Sequence, residues 1–324
     1  MIAVVGEALV DLVGAPDGRT YAAHPGGSPA NVAVGLARLG TPAALWTHVG
    51  DDAFGRLLRG HLDAAGVAVH PAGPAGTPTS LAVATLDAAG GATYDFRIDW
   101  AVRLPDALPD PVRAVHTGSL ALLLAPGRTE VEALLRRGRA RSTVSFDPNL
   151  RPALAPDPAA ERARVDALVP LCDVVKVSAE DLAFCRPGED PAGVAAEWLA
   201  RGAALVVVTR GADGAYAAAR SGAVLDVPAP AVRVVDTVGA GDAFTAGLLD
   251  GLARADLLGA ARRAALAAAG GDVLAPILAE AVAVAALTCG RPGADPPTRA
   301  ELAGGPAGGA AAVGAGAGSP HGSS

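Results

Sequence analysis

Three small residues followed by an acid and an apolar run form the stretch of this chain best suited to chemistry: Asp236-Thr237-Val238-Gly239-Ala240-Gly241-Asp242-Ala243-Phe244. Gly239, Ala240 and Gly241 let the backbone approach a ligand closely, and the apolar pattern from Ala243 to Leu252 starts a helix there. Several backbone N–H groups then converge at one helix N-terminus. Such a point attracts anions and suits the charge that builds up on a phosphoryl group in transfer. Asp242, in the first turn, is placed to accept the proton of an attacking hydroxyl. Acids also favour first turns as helix caps, and by itself the segment leaves that plainer role open. The preceding Val232 to Val235 reads as a short strand.

A second stretch runs from Gly26-Gly27-Ser28-Pro29-Ala30-Asn31 to Leu39-Gly40. Ser28 as N-cap, Pro29 at the first helical position, a stripe of Val32, Leu36 and Leu39, and Gly40 as stop describe a punctuated helix. Gly26 and Gly27 expose backbone N–H groups at its mouth, and Asn31 offers both a donor and an acceptor to a hydroxyl. The plainer reading has Asn31 only holding the turn.

These segments need a frame. Short strand-type runs recur at Ile2–Val5, Ala43–Thr47, Val112–His116, Thr143–Phe146, Val174–Val177 and Leu205–Thr209. Helical stripes lie between them, such as Phe54, Leu57, Leu58 and Leu62, or Val131, Leu134 and Leu135. The alternation predicts a mostly parallel sheet covered on both faces, with ligands at the carboxyl ends of its strands. Two segments, Leu12–His24 and Thr79–Trp100, break the alternation and predict a small separate β-sheet, a lid or a dimer surface. In the second, Tyr94, Phe96, Ile98 and Trp100 share one face, and Asp95, Arg97 and Asp99 the other. If the charged face looks inward, Arg97 reaches a ligand; if the aromatic face does, Arg97 points to solvent or to a partner subunit. Residues 1–302 are expected to form one domain. The Gly/Ala/Ser-rich 303–324 has no apolar stripe to bury and is expected to be disordered.

Composition narrows the classes. No stretch of about 18 residues escapes a charge or a breaker, so no membrane span is expected. The N-terminal apolar run is short, lacks a basic leader and is broken by Glu7 and Asp11, which argues against a signal peptide and for the cytoplasm. Cys172, Cys185 and Cys289 show no paired spacing and read as buried thiols. A net charge of −7 with scattered arginines gives no footprint for nucleic acid. The chain has neither G-x-x-x-x-G-K-[ST] nor G-x-G-x-x-G after its first strand, which excludes a P-loop kinase and a dinucleotide oxidoreductase.

Together, the glycine-rich helix start at 26–40 and the D-T-x-G-A-G-D-x-F segment resemble the two signatures of the ribokinase-like, or PfkB, carbohydrate kinase family, over Ile2 to about Leu302. The resemblance implies a three-layer α/β/α fold with a β-sheet lid. It implies ATP-dependent phosphorylation of a small sugar, with Asp242 as base and Gly239, Ala240 and Gly241 as anion hole. Asp11, Gly26, Gly27 and Asn31 would hold the sugar. Val49 to Gly55 is similar to the family's G-x-D-x-F-G segment, and Thr209 to Gly214 to its nucleotide loop, which implies ATP contacts at Thr209, Gly211 and Gly214. Lys176 to Leu182 stands where the family has N-x-x-E. Lys176 and Ser178 are then assigned to ATP, and Asp181, one methylene shorter than Glu, to magnesium through water. Arg151 is also assigned to ATP. Cys289 to Pro297 resembles the segment that closes the adenine pocket, with carbonyls of Asp236, Val238 and Gly293 for a monovalent cation such as potassium. Asp147-Pro148-Asn149-Leu150-Arg151 and Gly6 to Asp11 resemble the fructokinase branch, so fructose is the lead substrate. A sugar acid such as 2-keto-3-deoxygluconate, with Arg97 meeting its carboxylate, is the alternative. Ribose and nucleosides come further back, and a sugar sensor without turnover is the alternative of a different class. A homodimer through the lid is a further expectation.

Overall fold

The structure, a computed structural model, describes residues 1–15, 18–86 and 92–304. The tail expected to be disordered lies almost wholly outside them, as does the turn 87–91. Nine strands, numbered in chain order, form the large sheet: β1 (Ile2–Val5), β4 (Ala43–Thr47), β5 (Ala68–Pro71), β8 (Ala114–Gly118), β9 (Thr143–Asp147), β10 (Val174–Ser178), β11 (Leu205–Thr209), β12 (Ala215–Ala219) and β13 (Val224–Val227). Four form the small one: β2 (Leu9–Gly14), β3 (Tyr21–Gly26), β6 (Ser80–Leu86) and β7 (Ala92–Arg97). The helices are α1 (Ser28–Arg38), α2 (Ala53–Ala64), α3 (Gly127–Gly138), α4 (Pro158–Leu168), α5 (Ala179–Cys185), α6 (Pro191–Arg201), α7 (Ala240–Arg254), α8 (Arg263–Ala268), α9 (Gly271–Cys289) and α10 (Arg299–Ala303).

The large sheet runs β13-β12-β11-β10-β9-β8-β1-β4-β5 and is parallel except at β12 and β13. Its central strands β1, β4 and β11 are mostly apolar because both faces are covered. Ile2 and Val4 pack with Leu36, Leu62, Phe244 and Ile277 on one face; Ala3 and Val5 pack with Leu134, Leu168 and Trp198 on the other. The chain winds from β1 to β4 and β5 in one direction and through β8 to β11 in the other. The switch beside β1 leaves a crevice at the carboxyl ends, where ligands of open α/β sheets bind.

The lid sheet, ordered β3-β2-β6-β7, grows out of that crevice. Asp52 fixes its root: the carboxylate caps α2 through the Gly55 N–H at 2.7 Å and accepts the N–H and hydroxyl of Thr79, each at 2.8 Å. Phe96 and Ile98 pack with Leu9, Ala82 and Leu120, so the lid turns its apolar face toward the body. The side chain of Tyr94 lies outside the described residues.

Three expectations change. Val232 to Val235 is not a strand: among the described residues it finds no ladder, Val234 and Val235 are exposed, and its backbone is anchored by the Val235 N–H on the Cys289 carbonyl. Alternating apolar residues specify a strand only where an edge is free to pair with them. Ser28 is not the N-cap of α1. Gly27 takes that position at φ 102°, a left-handed backbone that glycine tolerates, and frees the Ser28 hydroxyl for other work. Cys289 is only partly buried, unlike Cys172 and Cys185. By length and mean hydropathy, α9 alone among the described helices would suffice to cross a membrane, yet Leu274, Leu278, Ala281 and Val284 are buried in the hydrophobic core.

α1 and α7 meet at Gly35, where an added Cβ would fall 2.6 Å from the Ala246 methyl. This close crossing swings the N-termini of the two helices together. Burial of Leu36 and Leu248, each worth about 1.5–3 kcal/mol, holds it there.

Candidate active site

The crossing puts Asp242 between three donors that no local pattern connects to it. Its Oδ1 accepts the Ser28 hydroxyl at 2.6 Å, and its Oδ2 accepts the Asn31 amide at 2.9 Å. Asn149, after β9, donates to Ser28 Oγ at 2.8 Å and sits 3.5 Å from Asp242 Oδ1. Asp242 therefore does not cap its own helix, whose N-terminus has no side-chain cap. Its backbone amides stay available to an anion. Burial pushes the Asp242 pKa up; the bonds from Ser28 and Asn31 pull it down, and Asp147 pushes it up again. A carboxylate kept basic in this way is a competent proton acceptor.

Gly239 begins α7 at φ 75°, and a Cβ there would lie 2.5 Å from the Ala294 methyl. Beside this turn Lys176 reaches in from β10, with Nζ 3.1 Å from the position a Cβ on Gly241 would take. The ammonium is buried and bound to Asp147 Oδ2 at 2.9 Å. Burial alone would lower the Lys176 pKa, but Asp147, with Asp181 and Asp242 behind it, raises it instead. A buried cation thus lies under the N-terminus of α7. Gly241→Ala should depress kcat while the fold survives: the new methyl crowds the flexible end of Lys176 rather than backbone, and alanine favours a helix by up to about 1 kcal/mol. Steady-state kinetics beside a melting curve test this, and an unaltered kcat would place the transferred phosphate elsewhere.

On the lid side, Asp11 leans over the first glycine, its Oδ2 only 2.1 Å from where a Gly26 Cβ would fall. Burial lifts its pKa to about 6, opposed by Arg151 and His24 and aided by Asp242. Gly27 backs onto the Glu7 carbonyl, 2.6 Å from its would-be Cβ. Asp11, Gly26, Gly27, Asn31 and Asp242 therefore share one end of the crevice. Arg151 joins them: its charge acts on Asp11 and Glu7, and its Nη1 binds the Asn149 carbonyl and Oδ1 and the Leu150 carbonyl. Leu150, which Arg151 also holds, donates its N–H to Asp181, so Arg151 lies between the two ends of the crevice. Arg97 is not brought to the site. It lies on the exposed face of the lid, paired with Asp95 at 3.1 Å.

The other end lies over β10 to β13. Ser178 caps α5 through the Asp181 N–H at 3.0 Å, and Asp181 Oδ1 accepts the Leu150 N–H at 3.0 Å, so both residues brace the turns around Lys176. Thr209 ends β11; Gly211 and Gly214, at φ 55° and 82°, carry the turn into β12. Asp236 ties two loops together, its carboxylate accepting the N–H of Val238 at 3.0 Å and of Gly293 at 2.8 Å. The Cys289 carbonyl accepts the Val235 and Asp236 N–H groups. Exposed Val234, Val235 and Val238 leave this end an apolar margin.

Sequence reasoning did not single out Glu7, Ser28, Asn149 or Asp147 for the site. The available signal was position: each follows or ends a strand, or opens a helix, at the crevice.

This arrangement sets a buried carboxylate at one end and a helix N-terminus with a buried lysine at the other, groups chemically suited to a hydroxyl and to a polyphosphate respectively. That defines a small-molecule phosphotransferase of the α/β class. The chain belongs to the pfkB family of carbohydrate kinases, whose sequence profile matches residues 1–301. It is thus an ATP-dependent carbohydrate kinase with the ribokinase-like fold. It is 39% identical over 270 residues to a fructokinase of Rhizobium leguminosarum bv. trifolii, covering 80% of this chain and 81% of that one. The crystal structure of fructokinase with bound ATP from Xylella fastidiosa superposes with a TM-score of 0.80 at 30% identity, over 94% of this chain and 97% of that one. A double-mutant fructokinase from Vibrio cholerae O395, in fructose, ADP and potassium ion bound form, gives a TM-score of 0.76 at 31% identity, over 94% and 98%.

Proposed function

We propose that this chain is a fructokinase that works in the cytoplasm. One observation carries the choice of sugar: burial raises the pKa of Glu7, Asp11 and Asp242, and the cations that offset them are fewer, Arg151 for Glu7 and Asp11 and Lys176 for Asp242. A pocket with more carboxyls than cations accepts a neutral polyol through hydrogen bonds and repels a sugar acid. The fructokinases among its relatives support the same reading. The sugar hydroxyl approaches Asp242, which takes its proton. The terminal phosphate of ATP lies against the amides of Gly239 to Gly241 with Lys176 beneath, and the bond to the leaving diphosphate breaks as the new ester forms.

Magnesium fits this reading through Asp181, by way of water, and through Asp147, whose buried Oδ1 has no hydrogen-bond partner. When bound it supplies positive charge between the phosphates. Potassium fits beside the Asp236, Val238 and Gly293 carbonyls, on loops that the Asp236 side chain already ties together. The lid's edge strand β3 exposes Tyr21, Ala22, Ala23 and His24, which supports a homodimer through the lid.

The experiment is ATP consumption with fructose, 2-keto-3-deoxygluconate and ribose. The highest kcat/KM is expected with fructose, and no turnover with any sugar would favour a sensor. In the same assay Arg97→Ala should stay within about twofold of the parent on fructose and on 2-keto-3-deoxygluconate, because an exposed pair contributes little. A selective loss of tenfold or so on the sugar acid would return Arg97 to the pocket.

A further inference from the structure

His24 stands on β3, the edge strand of the lid, and strand register fixes where its side chain lies. It is paired with Asp11 across the antiparallel β2–β3 ladder; Asp11 is in turn paired with Ala82 on β6, and Ala82 with Phe96 on β7. Residues in register project from one face of a sheet, so these side chains form a single row across the lid. His24 and Asp11, opposed on adjacent antiparallel strands, have Cβ atoms about 4.5–5.5 Å apart.

The direction of the row is set by two independent contacts. Ala82 packs with Leu9, Phe96 and Leu120, on the face turned toward the body. Gly26, two residues after His24 and hence on the same side of β3, would place a Cβ 2.1 Å from Asp11 Oδ2 and 3.5 Å from Leu9 Cδ1. His24 therefore belongs to the inward face, one strand beyond Asp11, whereas Asp95 and Arg97 occupy the outer face as an exposed pair.

Chemistry gives that place a use. A sugar hydroxyl donates one hydrogen bond and accepts others, and an ionised carboxylate such as Asp11 can only accept. Other donors nearby are engaged: the Asn31 amide with Asp242, and the Asn149 amide with Ser28. The Asp11 carboxylate leans over Gly26, and among the described residues the His24 ring makes no hydrogen bond or ion pair. Its ring N–H is thus an uncommitted donor beside an acceptor.

We propose that His24 is a sugar-binding residue, whose ring N–H donates to a hydroxyl that Asp11 accepts and so closes the lid side of the pocket. That hydroxyl is not the one phosphorylated, which goes to Asp242, so the contact is alike in ground state and transition state and acts on KM. The charge around Asp11 agrees with the placement: burial raises its pKa, and Arg151 and then His24 oppose that. The imidazole projects from the sheet face, which leaves the backbone edge of β3 free to pair with a second copy.

The inference rests on the kinase reading, and the test separates the two. For the sugar the parent prefers, kcat, KM, calorimetric Kd and melting temperature are measured for the parent, His24→Ala, His24→Gln, Asp11→Asn and the double variant His24→Ala with Asp11→Asn. A parent that binds a sugar without turnover sinks the kinase reading alone, and Kd then judges His24; a parent that binds none overturns both. His24→Ala should raise KM and Kd about fivefold to tenfold, with kcat within about twofold and the melting temperature unchanged. His24→Gln, which keeps a donor, should return both to within about threefold of the parent. Since the two side chains serve one hydroxyl, Asp11→Asn should cost less in the His24→Ala background than in the parent. A His24→Ala variant with KM and Kd within about twofold of the parent overturns the proposal. Equal losses in His24→Gln together with a lower melting temperature overturn it too, because they mark a residue that only holds the lid.

Discussion

Asp242→Asn should lower kcat on the order of a hundredfold or more, while fructose and ATP still bind within a few-fold of the parent. The change removes the proposed proton acceptor and keeps its shape. The new amide can turn its nitrogen toward Ser28, whose hydroxyl oxygen accepts, and keep its oxygen toward the Asn31 amide, so both contacts to Asp242 survive in altered polarity. Stability should hold or rise, because a carboxylate whose charge burial disfavours has been replaced by a neutral group. The parent's kcat/KM should fall as pH drops through the raised Asp242 pKa, since only the ionised form accepts a proton. Stability has the opposite sign: a carboxyl with a raised folded pKa stabilises the protein at low pH, and that contribution is lost as pH rises through the folded value. Calorimetric binding beside turnover tests the prediction. A variant that keeps more than about a tenth of the parent kcat would reduce Asp242 to a structural acid.

The second large effect is expected at Lys176→Met. Both partners of the Lys176–Asp147 pair are almost wholly buried, with side chains 5% and 2% exposed. Removing the ammonium leaves Asp147 unpaired near Asp181, and truncating one side of a buried pair costs about 3–5 kcal/mol. The same change takes the cation from beneath the helix N-terminus proposed to receive the phosphates, a loss of about a hundredfold in kcat by analogy with a deleted oxyanion donor. Adding Asp147→Asn to Lys176→Met separates the two effects. The double variant should regain much of the stability in denaturant unfolding, because no charge is then stranded, and little of the kcat. If kcat returns together with stability, Lys176 is an ion-pair anchor and the anion site rests on backbone amides alone.

Much of the frame was legible in the chain. The strands that begin at Ile2, Ala43, Thr143, Val174 and Leu205 were each visible as β-branched or apolar runs between helical stripes, because a sheet buried on both faces needs apolar residues at every position. The lid was visible for the opposite reason: its segments break the helix alternation and carry period-two patterning, which separates an apolar from a charged face, while only the structure decided that the apolar one looks inward. Val232 to Val235 carried the same local signal as a true strand and failed, since its fate depended on a free sheet edge that lies outside the segment.

By itself the sequence determined which residues could do the chemistry: a glycine-rich turn before Asp242 at a helix start, a second glycine pair before α1, and, through the family resemblance, Asp11 after β1. Spacing encodes local backbone shape, and local shape is enough to make an anion site. Only the tertiary structure decided what those residues do for one another. Ser28 became a donor to Asp242 rather than a cap because Gly27 took the cap position and the Gly35–Ala246 crossing brought the two helix starts together. Arg151 came to brace the turn at Asn149 and Leu150, and Lys176 became a buried cation by pairing with Asp147 from the neighbouring strand. These contacts join residues up to 214 positions apart. They are set by strand order and helix crossing, which no single stretch of sequence contains.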